Sequence, residues 1–469
     1  MKQKLFELLD SKKAFVALFL LNVLAALAVL SVSSALRFND EKTYWTMGES
    51  ILHGKFSSWY FLPDYYPETL RTPGYPVFLA LCQLVSGSAM FVKVLQLLIY
   101  FVSVFLCTRI IRKMTQAYFY RTVFLLLLIL NPQIVYYSGL ISAEVLNIFF
   151  IVLVLYFVMR ERTFRNALLI ALFSYCAFIV RPAFLLFPFL LFFYFIFAGR
   201  KNFKYASLFI LTYTILLLPF GIWNKREHGI FKVTSLEGGA GVAHIGFWLF
   251  KLPEGYNKQF YWPIAVKHDA IQPDFFSDKE KQENALLYEK ECKDIFNALE
   301  TYNSRKDSAY YSLMKDNDLG LLPLHNSKYT VAREKALWAI TIQHIIDEPF
   351  FYLKSRLYTL FRSYVTGINR FEFVNAKSFL TKLKVVLPFI ITFLFIFLGL
   401  LFITVRILRG KVDFPNKYAF LLLFWYYGLV HLPFTIQGRY TVPVHLLILM
   451  TLSISMMKKH EASIQSMQQ

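Results

Sequence analysis

Residues 14–36 read AFVALFLLNVLAALAVLSVSSAL, 23 consecutive positions without a charged side chain. An α-helix rises about 1.5 Å per residue, so a run of about 20 apolar residues spans the hydrocarbon core of a bilayer. Similar apolar runs recur along the chain and predict ten spanning helices in all. They lie at about 14–36, 90–108, 122–138, 141–158, 166–180, 183–198, 205–223, 385–405, 418–436 and 440–457. This pattern indicates an α-helical polytopic membrane protein.

The composition supports a membrane protein and excludes several other classes. Of the 469 residues, 57% are hydrophobic, and the mean hydropathy is +0.47. Soluble globular chains are about 45–50% apolar. Four cysteines and 19 glycines are too few for a small disulfide scaffold or a collagen-like chain. The net charge of +20 would suit a soluble nucleic-acid-binding protein, but the hydropathy does not, so we expect no nucleic-acid partner.

The positive charge is concentrated at one set of helix ends. If the ten helices alternate in direction, 20 of the 50 Lys and Arg residues fall on one side of the bilayer, together with five acidic residues. Lys and Arg in short loops resist translocation, so this side is predicted to be the cytoplasm. Both termini are then cytoplasmic. The compact loops favour a bacterial inner membrane as the location.

The predicted helices divide the chain into three parts. Residues 1–223 form an N-terminal transmembrane module, whose first outer loop covers 37–89. Residues 224–384 form an extracytoplasmic soluble domain, mixed but mainly helical. Within it, the stretch 277–302 interleaves Glu and Lys with apolar residues at a spacing of three to four, which predicts a helix. Residues 385–469 form the C-terminal transmembrane helices and a short cytoplasmic tail.

Cysteine and histidine give no metal-binding pattern along the sequence. The four cysteines form no CxxC motif and no Cys/His cluster, so we predict neither structural zinc nor a disulfide framework. His53, His228 and His244 lie in outer segments without metal-ligand spacing. The pattern therefore predicts no role for these three histidines.

The most informative polar feature is the adjacent pair Asp40-Glu41, which follows the first predicted helix just outside the bilayer. A low-dielectric edge raises the pKa of a carboxylate and strengthens its attraction for a proton or a metal ion. The pair therefore suits a general base, or the binding of a divalent cation such as Mg²⁺ or Mn²⁺. The alternative is a solvated helix start, with Asn39 or Asp40 as the N-cap and acidic residues in the first turn.

The residues after this pair complete a pattern. Tyr44, Gly48 and a His53-Gly54 turn are followed by residues 71–76, RTPGYP, which lead into an apolar helix. An outer-face Asp-Glu pair, a short surface helix and a basic residue before Pro-Gly-Tyr-Pro resemble the first extracytoplasmic loop of the GT-C glycosyltransferases. The likeness is to the protein mannosyltransferase and aminoarabinose transferase branch, including the bacterial Rgt-like proteins that use polyprenyl-phosphate sugars.

The resemblance extends over most of the membrane part. Asn131-Pro132 and the later Ser142-Ala143-Glu144 are similar to the family's second outer loop, where an acidic residue opens the fourth helix. Arg181-Pro182 and Arg439-Tyr440 are similar to loop positions further along the chain. The soluble domain matches only in position and in a Gly238-Gly239 turn near its start.

The resemblance implies an inverting transfer of a sugar from a polyprenyl-phosphate donor to an extracytoplasmic acceptor, which is a protein, a lipid or a glycan of the cell envelope. By this likeness Asp40 is the base, and Arg71 receives the developing phosphate charge. Glu41 and Glu144 would orient groups or assist a metal ion. The remaining residues that the resemblance implies are the donor-binding Arg181, Arg439 and Tyr440 and the substrate-positioning Tyr44 and Tyr75.

Each assignment has an alternative. Glu144 near the outer end of an apolar helix is costly to leave unpaired, so an ion pair with Arg181 or Arg439 would explain it structurally. The arginines are also typical of interfacial residues that extend their charged heads toward water. A lipid-linked glycan polymerase or ligase, a transporter or flippase, and a non-catalytic scaffold are the competing functions. A transporter would place ionisable residues near the bilayer midplane, whereas those named here lie at outer helix ends.

Overall fold

The computed structural model describes residues 2–33, 39–60, 65–199, 202–259, 263–267, 269–299, 327–368, 370–434 and 439–456. Within these ranges, four helices are long and apolar enough to cross a membrane. They are Lys12–Ser31, Ala89–Met114, Phe203–His228 and the continuous rod Phe379–Leu408. Seven further apolar helices of 10–17 residues accompany them. The chain is therefore an α-helical, membrane-embedded protein, as the sequence predicts.

The N-terminal part is built from helices joined by short connections. In chain order they are α1 (Lys2–Leu9), α2 (Lys12–Ser31), α3 (Asn39–Leu52), α4 (Gly74–Val85), α5 (Ala89–Met114), α6 (Tyr118–Leu130), α7 (Gln133–Ser138), α8 (Glu144–Val158), α9 (Phe164–Val180), α10 (Phe187–Phe197) and α11 (Phe203–His228). A single 3₁₀ turn, Pro182–Phe184, precedes α10. The apolar helix α4 lies inside the predicted first outer loop, next to the surface helix α3.

Two helix ends differ from the predictions for local reasons. The span predicted at 122–138 is interrupted, because Pro132 lacks an N–H and disfavours the helical conformation at Asn131, whose ψ is 70°. The helix predicted to end at 223 continues to His228, where Gly229 adopts φ +76° and terminates it. The predicted boundary of the soluble domain therefore falls inside α11.

The segment between α11 and α17 (Phe379–Ile391), named the outer domain after its predicted location, is mainly helical, and its described residues contain one small sheet. Its elements are α12 (Ala240–Trp248), β1 (Asn257–Gln259), β2 (Pro263–Ala265), α13 (Asp278–Ala298), α14 (Ser327–Asp347), α15 (Pro349–Tyr364) and α16 (Arg370–Asn375). The two strands are antiparallel, with Lys258 opposite Ile264. Helix α13 confirms the helix predicted at 277–302 as far as Ala298. Residues 300–302, the ends of the spans predicted at 14–36, 418–436 and 440–457, and the tail beyond 457 lie outside the described residues.

The C-terminal helices end with the most buried helix of the bundle. They are α17 (Phe379–Ile391), which continues through a π-helical segment (Thr392–Leu398) into α18 (Gly399–Leu408), then α19 (Lys417–Val430) and α20 (Val442–Ser455). Every residue of α20 is buried, and the helix contacts α6, α8 and α18. Residues 439–441, directly before α20, therefore lead into the interior of the bundle.

The outer domain attaches to the segment that follows α3. The backbone N–H groups of Leu236 and Glu237 donate to the carbonyl oxygen of Thr69, at 2.8 and 3.1 Å. The Glu237 carboxylate also accepts from the Thr69 hydroxyl and pairs with Arg333 of α14. Thr69 is two residues before Arg71, so these contacts tie the outer domain to the loop on which that arginine lies.

Candidate active site

Asp40 lies in the first turn of α3 and pairs with two arginines from distant parts of the chain. Its Oδ1 is 3.0 Å from Nη2 of Arg71, in the loop before α4. Its Oδ2 is 2.9 Å from Nη2 of Arg439, in the loop before α20 and 399 positions away in sequence. The Asp40 side chain is 42% exposed, so the carboxylate is both ion-paired and accessible from outside.

The two arginines reverse the expected direction of the Asp40 pKa. Burial raises the pKa of Asp40, but the charges and hydrogen bonds of Arg71 and Arg439 together outweigh it and hold the pKa below its ordinary value. The sequence-based expectation of a raised pKa is therefore wrong for the protein without ligand. The physical reason is that two guanidinium groups contact the same carboxylate, a pairing that the sequence does not reveal.

Besides Asp40, two neighbours hold Arg71. Its guanidinium lies 5.3 Å from the centre of the Tyr44 ring, within the range of a cation–π contact. Its backbone N–H donates to Glu68 Oε1 at 3.1 Å, and the same oxygen accepts from the Leu70 N–H at 3.1 Å. The hydroxyl of Ser58 donates to the other Glu68 oxygen. Glu68 thus fixes the loop, a role that sequence reasoning missed although the acid lies only three residues before Arg71.

Glu144 and Arg181 form a further ion pair at the ends of two apolar helices. Glu144 opens α8 and Arg181 follows the last residue of α9, and Glu144 Oε1 is 2.7 Å from Nη2 of Arg181. Glu144 is only 1% exposed. The salt bridge considered as the structural explanation for Glu144 is therefore present. A buried carboxylate at a helix N-terminus is also favoured by the helix dipole.

Glu41 points away from Asp40. Its Oε1 accepts a hydrogen bond from the backbone N–H of Ile141 at 2.7 Å, in the segment before α8. Adjacent helical residues project about 100° apart, so the two carboxylates bind different parts of the chain. Their observed partners are guanidinium and peptide N–H groups. This set of partners favours separate roles over one divalent cation shared by Asp40 and Glu41.

The predicted tyrosines occupy two different depths. Tyr75 is fully buried, and its hydroxyl donates to Oε1 of Gln96 at 2.7 Å, so it supports the site from below. Its ring meets Tyr44 edge to face at 5.0 Å. Tyr440 is half-buried and stacks on His431 at 4.9 Å. Gln96 and His431 carry no motif, and only the structure reveals their place in the site.

The two ion pairs of Asp40 and the ion pair of Glu144 with Arg181 belong to one cluster. Tyr44 and Tyr440 both lie within electrostatic range of Asp40, Glu144 and Arg181. Burial also raises the pKa of Tyr44, which therefore stays neutral. The nine residues that the sequence singled out thus gather at one end of the bundle. Chemically the cluster offers one accessible carboxylate, two arginines that can exchange it for another anion, and a buried ion pair beneath.

One buried cation was overlooked in the sequence. Lys93 is in the second turn of α5, inside a run that was predicted to be a span, and its side chain is fully buried. An ionisable residue within an apolar span is itself the signal that sequence reasoning offers for such a position.

Comparisons with protein-family models, with curated proteins and with solved structures find no match to this chain.

Proposed function

We propose that the protein is a membrane glycosyltransferase of the GT-C type, which moves a sugar from a polyprenyl-phosphate donor to an extracytoplasmic acceptor with inversion. The acceptor is a protein, a lipid or a glycan. The observation that supports this best is the accessible Asp40 carboxylate shared between Arg71 and Arg439. This arrangement combines the two groups that such a reaction needs, a base for the acceptor hydroxyl and cations for the phosphate.

The reaction begins with an exchange of anions. Guanidinium groups bind carboxylate and phosphate with the same forked geometry, so the donor phosphate competes with Asp40 for Arg71 and Arg439. When the arginines move to the phosphate, Asp40 loses the interactions that depress its pKa and becomes a stronger base. Donor binding thereby activates the residue that acts on the acceptor.

The chemical step is a single displacement. Asp40 takes the proton of the acceptor hydroxyl as the acceptor oxygen bonds to the anomeric carbon and the bond from that carbon to the phosphate oxygen breaks. The leaving group is polyprenyl phosphate, which gains a negative charge in the step. Arg71 and Arg439 stabilise that charge as it develops, which lowers the barrier selectively in the transition state. Arg181, Glu144, Glu41, Tyr44, Tyr75 and Tyr440 hold these groups in position or line the donor site.

The membrane topology is part of the proposal. Ten spans are proposed, with both termini in the cytoplasm of a bacterium and the cluster and outer domain on the far side of its inner membrane. Labelling of single cysteines at the exposed positions Lys55 and Lys290, in a background without the native cysteines, tests this. Both should react with a membrane-impermeant reagent in intact cells, whereas a cysteine at the exposed Arg165 should not. The reverse pattern would refute the orientation.

A lipid-linked glycan polymerase or ligase is the nearest alternative, and a flippase the next. Both the carboxylate and the first arginine of the cluster lie in or beside helices of the first outer loop, which favours a transferase, because a polymerase is expected to use a late loop. A donor panel distinguishes these functions. We expect the purified protein to release polyprenyl phosphate from a short-chain polyprenyl-phosphate sugar, and not to consume a nucleotide sugar. Failure to release polyprenyl phosphate from the short-chain lipid donor with any acceptor of the three classes would refute the proposal.

A further inference from the structure

A second cluster of polar side chains lies in the outer domain, apart from the Asp40 cluster. His244 of α12, Glu291 of α13 and His344 of α14 converge there from three helices. Nε2 of His244 is 2.5 Å from Oε1 of Glu291, and Nε2 of His344 is 2.7 Å from Oε2. One ligand atom from each residue lies within 4.8 Å of the other two. The carboxylate thus stands between two imidazoles.

The surroundings hold the two rings toward the carboxylate. The His344 ring stacks on Phe247 with centroids 4.8 Å apart and an interplanar angle of 8°, and the His244 ring stacks on Tyr288 at 5.7 Å. The indole N–H of Trp248 lies 3.1 Å from Glu291 Oε1 and donates to it. Stacked rings and a donor to the ligating carboxylate are the kind of outer-shell support that orients metal ligands.

The cluster is also reachable. His244 is fully buried, but the side chains of Glu291 and His344 are 18% and 22% exposed. An ion can therefore approach from the side of His344, with His244 at the closed end. A water molecule would take the coordination position that the three side chains leave open.

We propose that His244, Glu291 and His344 bind a divalent transition-metal ion of the zinc class. Two imidazole nitrogens and one carboxylate are the donor set that borderline cations such as Zn²⁺ prefer, with bonds of about 2.0–2.2 Å. Tetrahedral ligands at that distance lie about 3.3 Å apart, so each Nε2 would move somewhat under 1 Å from the oxygen it contacts, while ligand atoms that are now up to 4.8 Å apart would come closer. This is a side-chain adjustment and not a rearrangement of helices.

The position of the cluster gives the ion a structural role. Helix α12 begins three residues after Glu237, whose backbone N–H donates to Thr69, and α14 carries Arg333, which pairs with Glu237. An ion joining α12, α13 and α14 would stabilise the part of the outer domain that contacts the loop of Arg71. The proposal does not depend on the glycosyltransferase function, because it concerns binding by other residues.

Sequence reasoning missed this site because the ligands are far apart along the chain. His244 and His344 are separated by the whole of α13, and the acids at helical spacing from His344, Asp347 and Glu348, do not belong to the cluster. Only the packing of α12, α13 and α14 brings them to one carboxylate.

The test uses the full-length protein purified in detergent with an affinity tag that contains no histidine. The protein is treated with a chelator, incubated with Zn²⁺ or Co²⁺ and dialysed, and the bound metal is measured by elemental analysis and by the visible absorption of Co²⁺. Glu291→Gln keeps the size and hydrogen-bonding capacity of the side chain but removes the anionic ligand. His344→Gln removes the more exposed imidazole, and His53→Gln, at an exposed histidine outside the cluster, is the matched control.

We expect about one ion per chain in the wild type and in His53→Gln. Affinity should fall at least tenfold in Glu291→Gln and His344→Gln, since even outer-shell substitutions cost 10–100-fold. Added Zn²⁺ should also raise the unfolding temperature of the wild type and not that of the variants. Failure of the wild type to retain an ion, or equal retention by both cluster variants, would overturn the proposal and leave a hydrogen-bonded cluster only. If Glu291→Gln does not fold, His344→Gln and the Co²⁺ spectrum of the wild type decide.

Discussion

Replacing Asp40 with Asn should strengthen the binding of polyprenyl phosphate while it abolishes sugar transfer. In the protein without ligand, Arg71 and Arg439 are both engaged by Asp40. The donor phosphate must displace this carboxylate and is repelled by its charge. Asparagine releases the two guanidinium groups and removes the repulsion, so the anion site becomes more available at the same time as the base is lost.

The size of the effect follows from the exposure of the pair. With the Asp40 side chain 42% exposed, each ion pair contributes as partly solvated pairs do, about 0.2–1 kcal/mol. Two pairs then amount to about 0.4–2 kcal/mol, which corresponds to about 2- to 30-fold tighter binding. Arg71 keeps its contact with the Tyr44 ring and its loop keeps the bonds to Glu68, so we expect the variant to fold.

The assay is equilibrium binding of a short-chain polyprenyl monophosphate to wild-type protein and to Asp40→Asn. The matched control is Asp413→Asn, which removes an exposed acid paired with Lys417 at a distant position. Binding should tighten in Asp40→Asn and stay unchanged in Asp413→Asn. Weaker binding in a folded Asp40→Asn would refute the anion exchange, and it is the result expected if Asp40 held a cation that bridges to the phosphate.

Three further predictions concern the same cluster. Arg439→Gln should weaken polyprenyl phosphate binding at least tenfold, since a hydrogen bond to a charged group contributes about 1.5–3 kcal/mol. Arg439→Lys should recover only part of the lost affinity. Equal binding by the wild type and both variants would contradict the role of the guanidinium. Glu144→Gln should lower the free energy of unfolding by about 3 kcal/mol, because it leaves Arg181 without its counter-ion. The double variant with Arg181→Gln should lose less stability than the sum of the two single variants, as measured by denaturant titration in detergent. The pH dependence should differ between free and donor-bound protein. A base with a depressed pKa stays ionised as the pH falls to that pKa, so kcat/KM should not decline until below pH 3.8. The decline of kcat should begin at a higher pH, because the bound donor removes the arginines from Asp40. Declines of kcat and kcat/KM at the same pH would contradict this.

The sequence was sufficient to predict an α-helical membrane protein and most helix positions. Long uncharged runs can form little other than buried or membrane helices, and the structure has a helix at each of them. Local chemistry shifted their ends, as at Asn131-Pro132, where one predicted span becomes two helices. Gly74–Val85 lies inside a predicted loop because its apolar run is shorter than the length required of a span.

The site was only partly accessible from the sequence. Motifs named the residues of the Asp40 cluster, but the pairing that sets the chemistry joins positions 399 apart and depends on how the fold brings the start of α3 to the loop before α20. The depressed pKa of Asp40 follows from that pairing, so it was predicted in the wrong direction. Supporting contacts such as the two bonds accepted by Glu68 involve backbone groups, which leave no trace in side-chain patterns.

The most direct test of the central claim is the single-turnover rate of sugar transfer from a bound polyprenyl-phosphate sugar. Wild type, Asp40→Asn and Asp413→Asn are compared at saturating donor, so that altered donor affinity does not enter the rate. Loss of a general base predicts a decrease of about 10²- to 10⁴-fold in Asp40→Asn and no change in Asp413→Asn. A folded Asp40→Asn that binds the donor and transfers the sugar at the wild-type rate would contradict the assignment of Asp40 as the base.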